Sequence, residues 1–150
     1  MAENIQRHYK NNECRVEKMV GAEISALDQA PLADEEFIIA GLMAGTVVQG
    51  GMIAGFGLDG DVDLNIKIVD TQGTVILEYK TDAVSGDEDP YTVNNTKAVG
   101  FSVPSTKNTL LYPAKVIMKF TEDFTQGIIK LGADMIDFNA VTGDRVPEVL

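Results

Sequence analysis

GDVDLNIKIVDTQGTVILEYK, residues 60–80, is the stretch whose reading decides the fold. Val62, Leu64, Ile66 and Ile68 alternate with Asp61, Asp63, Asn65 and Lys67. Successive side chains of an extended chain point to opposite faces, so this alternation predicts a strand with one apolar face. Asp70-Thr71-Gln72-Gly73 follows. An aspartate carboxylate can accept from backbone N–H groups just downstream, and glycine takes a positive φ without steric cost, so these residues predict a tight turn. Thr74–Tyr79, rich in β-branched and aromatic side chains, predicts the return strand.

Upstream, FIIAGLMAGTVVQGGMIAGFGL (Phe37–Leu58) has no charged residue, and as a helix it is long enough to span a bilayer. It carries two GxxxG pairs, Gly41 with Gly45 and Gly51 with Gly55, a spacing used where membrane helices dimerise. Its six glycines argue against a helix. The flank before it is acidic (Asp34, Glu35, Glu36) and the next cation after it is Lys67, so neither side offers a basic anchor. The stretch is therefore expected to form two buried strands, Phe37–Val48 and Met52–Phe56, with a Gly-Gly turn near Gln49.

The same pattern extends outward. Cys14–Ile24 fits a strand and Ser25–Glu35, with Pro31, a loop. Thr81–Asn95 predicts an exposed acidic loop ending in a short edge strand at Tyr91–Val93. Val99, Phe101 and Val103 alternate, as do Ala114, Val116, Met118 and Phe120. Gly127–Leu131 and Ala133–Ala140 are expected as a last apolar pair of strands. Many short strands with turn signals between them predict an all-β fold, an antiparallel β-sandwich of immunoglobulin-like or jelly-roll type. Residues 13–142 would form this single domain, after an N-terminal arm at 1–12 and before a C-terminal tail at 143–150.

Charge narrows the partners. Of 150 residues, 45% are apolar and 23% charged, enough for one core without disulfides or metal. The net charge is −11. Through Val20, four bases (Arg7, Lys10, Arg15, Lys18) stand against three acids (Glu3, Glu13, Glu17), and the remainder holds eight bases against twenty acids. So negative a body repels phosphate backbones and anionic lipid, so neither nucleic acid nor membrane is expected as a partner. The start of the chain, MAENIQRHYKNNE, lacks the apolar core of a signal peptide, and synthesis in a cytosol-like compartment is expected.

Catalytic arrangements find little material. Cys14 is the only cysteine, His8 the only histidine, and there is no Trp. Nucleophilic triads need a held imidazole, and His8 falls in the expected arm. No Walker A, HExxH or strand-linked GxGxxG motif is present. No enzyme activity and no cofactor are expected. Asp59, Asp61 and Asp63 form a DxDxD run of hard oxygen donors, a calcium candidate of the kind that opens an EF-hand loop. The sixth position holds Leu64 where that loop needs Gly, and the twelfth holds Asp70 where it needs Glu. On a strand, Asp61 and Asp63 would simply face solvent. Asp87, Glu88 and Asp89 form a second acidic cluster in the predicted loop.

Residues 57–142 resemble the immunoglobulin-like domain at the N-terminus of phage baseplate upper proteins. The matching pieces are Gly60-Asp61, Asp70-Thr-Gln-Gly73, Val99–Val103, Leu111-Tyr-Pro-Ala114 running into Val116–Phe120, then Ile136-Asp-Phe138 and Val141-Thr142. Their order carries the resemblance. It departs where Tyr112 separates Leu111 from Pro113, and residues 1–56 have no counterpart. The resemblance implies a non-enzymatic structural subunit of a bacteriophage particle, made in the host cytoplasm and located in the virion. Its partners would be other virion proteins and copies of itself. The candidate interface is apolar: Phe37, Ile38, Ile39, Leu42, Met43, Val47, Val48, Met52, Ile53 and Phe56. The alternative is a carbohydrate-binding or receptor-attachment module, for which Tyr91 and Tyr112 are the tyrosines in exposed-looking segments.

Overall fold

The computed structural model describes residues 16–81 and 84–137. The expected arm and tail, with His8 and Cys14, lie outside the described residues. Nine strands and one short helix follow in order: β1 (Val16–Ser25), α1 (Ala26–Gln29), β2 (Glu36–Leu42), β3 (Thr46–Phe56), β4 (Val62–Asp70), β5 (Val75–Leu77), β6 (Tyr91–Val93), β7 (Val99–Ser102), β8 (Ala114–Phe120) and β9 (Ile128–Asp137). Sheet A has the order β1-β9-β3-β7 and sheet B the order β2-β8-β4-β5, with β6 on the same edge of β4 as β5. All pairings are antiparallel. The fold is an all-β sandwich.

Consecutive strands mostly change sheet: β1, β3, β7 and β9 lie in A, and β2, β4, β5, β6 and β8 in B. Only β4 and β5 are sequence neighbours that pair across a tight turn. An immunoglobulin sandwich has the sheets ABED and CFG, so its first two strands are neighbours in one sheet. Two four-stranded sheets joined by repeated crossings are instead the jelly roll. Of the two architectures the sequence left open, this connectivity is the second.

The central hairpin forms as predicted at its turn. Asp70 Oδ1 accepts from the backbone N–H of Gln72 at 2.9 Å and of Thr74 at 2.8 Å, and Gly73 takes φ 84°. The return strand is shorter than expected, Val75–Leu77, and its pairing with β4 carries a register shift between Ile68 and Val69. Leu64, Ile66 and Ile68 of β4 and Val116, Met118 and Phe120 of β8 are fully buried. They face Val48 and Ile53 of β3 and Ile129, Leu131, Ala133 and Met135 of β9. Each of these side chains larger than alanine contributes about 1.5–3 kcal/mol by leaving water. Phe120 closes one end of this core by stacking on Phe124, with ring centroids 4.8 Å apart.

Two expectations need correction. The turn in Phe37–Leu58 falls at Met43–Gly45 and not at Gly50-Gly51: Gly45 takes φ 80° and the Thr46 hydroxyl donates to the Met43 carbonyl at 2.8 Å. Because β2 and β3 belong to different sheets, this turn crosses the sandwich instead of closing a hairpin. Gly51 stays inside β3 since the ring of Phe101 lies against it, and a Cβ there would stand 2.6 Å from that ring. Likewise Ile128–Asp137 is one strand, not two, and Gly132 runs through it paired with Gly21 and Met52. No helix among the described residues is long and apolar enough to cross a membrane.

Candidate functional site

Strand alternation leaves each sheet an outer face, and the two faces differ in chemistry. On sheet A one cross-strand row reads Gly21, Gly132, Met52, Gly100 from β1 to β7. Three residues of that row have no side chain, so the row forms a trough. The Met52 sulfur lies along its floor, 3.3 Å from where a Cβ of Gly100 would stand. The next row reads Glu23, Lys130, Ala54, and Phe56 follows two residues further along β3. Lys130 reaches over the Phe56 ring, 5.3 Å from its centroid, and pairs with Glu23 at 3.8 Å. An exposed pair of this kind contributes little to stability. Apart from Gly100, these residues line an open, mostly apolar depression of about 510 Å³. Met52 and Phe56 are about half exposed, at 48% and 52%.

The ten candidate interface residues separate by position. Leu42, Val48 and Ile53 are inside the sandwich, where their apolar surface is already used. Phe37 and Ile39 are half-buried against the same core, and Val47 is half-buried. Ile38 and Met43 are exposed but sit on β2 and on the β2–β3 turn. Of the ten, Met52 and Phe56 are those that the fold brings together beside the trough.

On sheet B one row of the outer face is polar. Glu36, Lys119 and Asn65 stand side by side on β2, β8 and β4. The loop after β5 lays Tyr79 and Glu88 over them. Glu88 Oε2 accepts from Lys119 Nζ at 2.8 Å and from Asn65 Nδ2 at 3.0 Å. The Tyr79 hydroxyl donates to Glu36 Oε2 at 2.8 Å, and its ring receives the Lys119 ammonium 4.4 Å from the centroid. Burial first, then the hydrogen bond to Glu36 and the charges of Glu36 and Glu88, push the Tyr79 phenol well above its usual range. Covered in this way, Asn65 is 1% exposed, although alternation along β4 predicts a solvated side chain. Its Oδ1 has no hydrogen-bond partner. The acidic cluster is thus drawn in at one member, while Asp89 pairs with Lys80 at 3.3 Å.

Comparison with known proteins adds three solved structures. The chain is similar to the cyanophage Pam1 capsid asymmetric unit, with 12% identity and a TM-score of 0.48 over 82% of this chain and 86% of that one. It is also similar to a structure of infectious bursal disease virus, Gx strain, with 12% identity and a TM-score of 0.47, over 87% of this chain and 35% of that one. For the Gt strain the values are 13% and 0.44, over 81% and 32%. The chain thus spans about a third of the length of the two bursal disease virus chains. No family model matches the chain, and no curated protein matches it in sequence.

The remaining candidates are dispersed. Asp61 Oδ1 accepts from Asn94 Nδ2 at 3.1 Å and Asp63 Oδ1 from the Thr92 hydroxyl at 2.5 Å, both across to the β6 end of the sheet. Among the described residues no three acids, histidines or cysteines, the Asp59, Asp61, Asp63 run included, are placed to hold a metal. Tyr91 is half-buried under Lys80, whose ammonium lies 4.8 Å from its ring centroid, and Tyr112 is 46% exposed beside Leu111. The two tyrosines form no common platform: Tyr91 packs on the core at β6 and Tyr112 precedes β8.

Proposed function

We propose that this chain is a non-enzymatic structural subunit of a bacteriophage particle that works by protein–protein assembly. The observation that carries the reading is the apolar depression on sheet A, where Met52 and Phe56 flank a glycine floor on an otherwise strongly acidic protein. Apolar surface held open to water is costly unless something covers it, and a flat sheet face with a trough suits a neighbouring protein surface. Copies of this chain and other virion proteins are the proposed neighbours. Jelly-roll connectivity is a frequent framework of viral shells by fold-level analogy. No observation favours sugar binding, since such sites rest on exposed aromatic faces and the two candidate tyrosines stand apart.

Sedimentation of the native source material, with mass spectrometry of the heavy particles and of the soluble fraction, tests this. Recovery in the particles at a fixed ratio to a shell or tail protein is expected. Recovery as a soluble monomer alone overturns the reading, and glycan binding by that monomer would favour the attachment alternative.

A further inference from the structure

The outer face of sheet B holds a lysine, an asparagine and a glutamate in an arrangement that a solvated surface network does not require. Asn65 and Lys119 are direct cross-strand partners on β4 and β8. Both side-chain nitrogens donate to the same carboxylate oxygen of Glu88, at 3.0 and 2.8 Å. They are thus held next to one another by a group able to carry a proton between them. That oxygen already accepts from Lys119, so the asparagine nitrogen, not its oxygen, must face it. The amide orientation follows from the network. Asn65 is 1% exposed and its Oδ1 accepts from nothing. A buried, unpartnered carbonyl oxygen is costly, and such an atom in a native fold calls for an explanation. The ring of Tyr79 covers the lysine amine from the solvent side, leaving the side chain of Lys119 17% exposed.

We propose that Lys119 and Asn65 become joined by an intramolecular isopeptide bond, with Glu88 carrying the protons. Glu88 takes a proton from Nζ, which frees the amine lone pair. Nζ attacks Cγ of Asn65, and the carbonyl electron pair moves onto Oδ1 to give a tetrahedral centre, while the proton on Glu88 is kept for Nδ2, the amide atom it faces. Collapse of this tetrahedral centre breaks the Cγ–Nδ2 bond. Nζ gives up two of its three protons, by way of Glu88, to the departing nitrogen. The balance is one ammonium and one carboxamide converted to one secondary amide and one ammonium ion. No oxidant, cofactor or metal enters. Positioning on adjacent strands replaces the encounter of two free groups, which is where most of the acceleration of such a reaction arises. The Asn65 amide is shut off from water, while the Glu88 side chain is 42% exposed.

Intact-mass spectrometry of the full-length protein tests this, with peptide mapping after trypsin. The wild-type chain is expected to be lighter than its sequence by one ammonia. Its digest should contain one branched peptide joining the segments around residues 65 and 119, with cleavage after Lys119 lost. Lys119→Arg, which keeps the charge, and Glu88→Ala should both run at full sequence mass. A wild-type chain at full mass overturns the proposal, and so does an ammonia deficit that persists in Lys119→Arg. The wild-type measurement decides even if a variant does not fold. The outcome is independent of particle assembly, which concerns the opposite sheet.

Discussion

Asp70 and Tyr79 show how single side chains set local structure here. The Asp70 carboxylate holds two backbone N–H groups of the β4–β5 turn, and its replacement by Ala leaves both to water. Asp70→Ala should cost about 1 kcal/mol, read as a lower urea midpoint with an unchanged slope. Tyr79 gives a pH dependence. Its phenol is held neutral in the folded state above the ordinary value of 10.0, so folded chains keep a proton that unfolded chains lose. The stabilisation this represents is complete below that value and is lost as pH rises from there through the folded pKa. Denaturation followed from neutral to strongly alkaline pH should therefore show falling stability. Tyr79→Phe should flatten that alkaline limb, and an unchanged slope would count against the assignment. The turn at Asp70–Gly73 was legible in the sequence because the partners of the Asp70 carboxylate lie within four residues. The setting of Tyr79 was not, because Glu36 and Glu88 reach it from distant parts of the chain.

Strand β3 places two roles on opposite faces. Ile53 is fully buried, whereas Met52, next to it, and Phe56, three residues on, face outward. Ile53→Ala should destabilise by about 2–5 kcal/mol through lost burial and the cavity left behind. Met52→Ser and Phe56→Ser should change stability by only about 0.5 kcal/mol or less, as exposed sites do. On the proposed function, those two variants should nevertheless lose incorporation into particles, and normal incorporation of the double variant would exclude this face as the contact. Sequence periodicity marked β4, β7 and β8 because one apolar face alternates with polar residues. It blurred β2 and β3, where both faces are apolar and Gly51 and Gly55 serve close packing instead of turning. The Phe101 ring against Gly51 is a contact between strands that no local pattern records.

At the scale of the whole molecule, the net charge of −11 adds repulsion between copies at neutral pH. Lowering the pH towards the isoelectric value of about 4.4 removes that repulsion, and an apolar face left open should then promote association. Light scattering should show larger species as the pH falls, and less of them for Met52→Ser with Phe56→Ser. The sequence by itself determined the strand content, the central turn and the acidic surface, because period-two patterning, turn chemistry and composition are local quantities. Only the tertiary structure decided the rest. The jelly-roll order of the sheets depends on which distant strands pair, and the glycine row of sheet A on register across four of them. The Asn65–Glu88–Lys119 cluster depends on a loop folding back over its own sheet. Each is a relation between residues far apart along the chain, and burial and hydrogen bonding select such relations only once the core has formed.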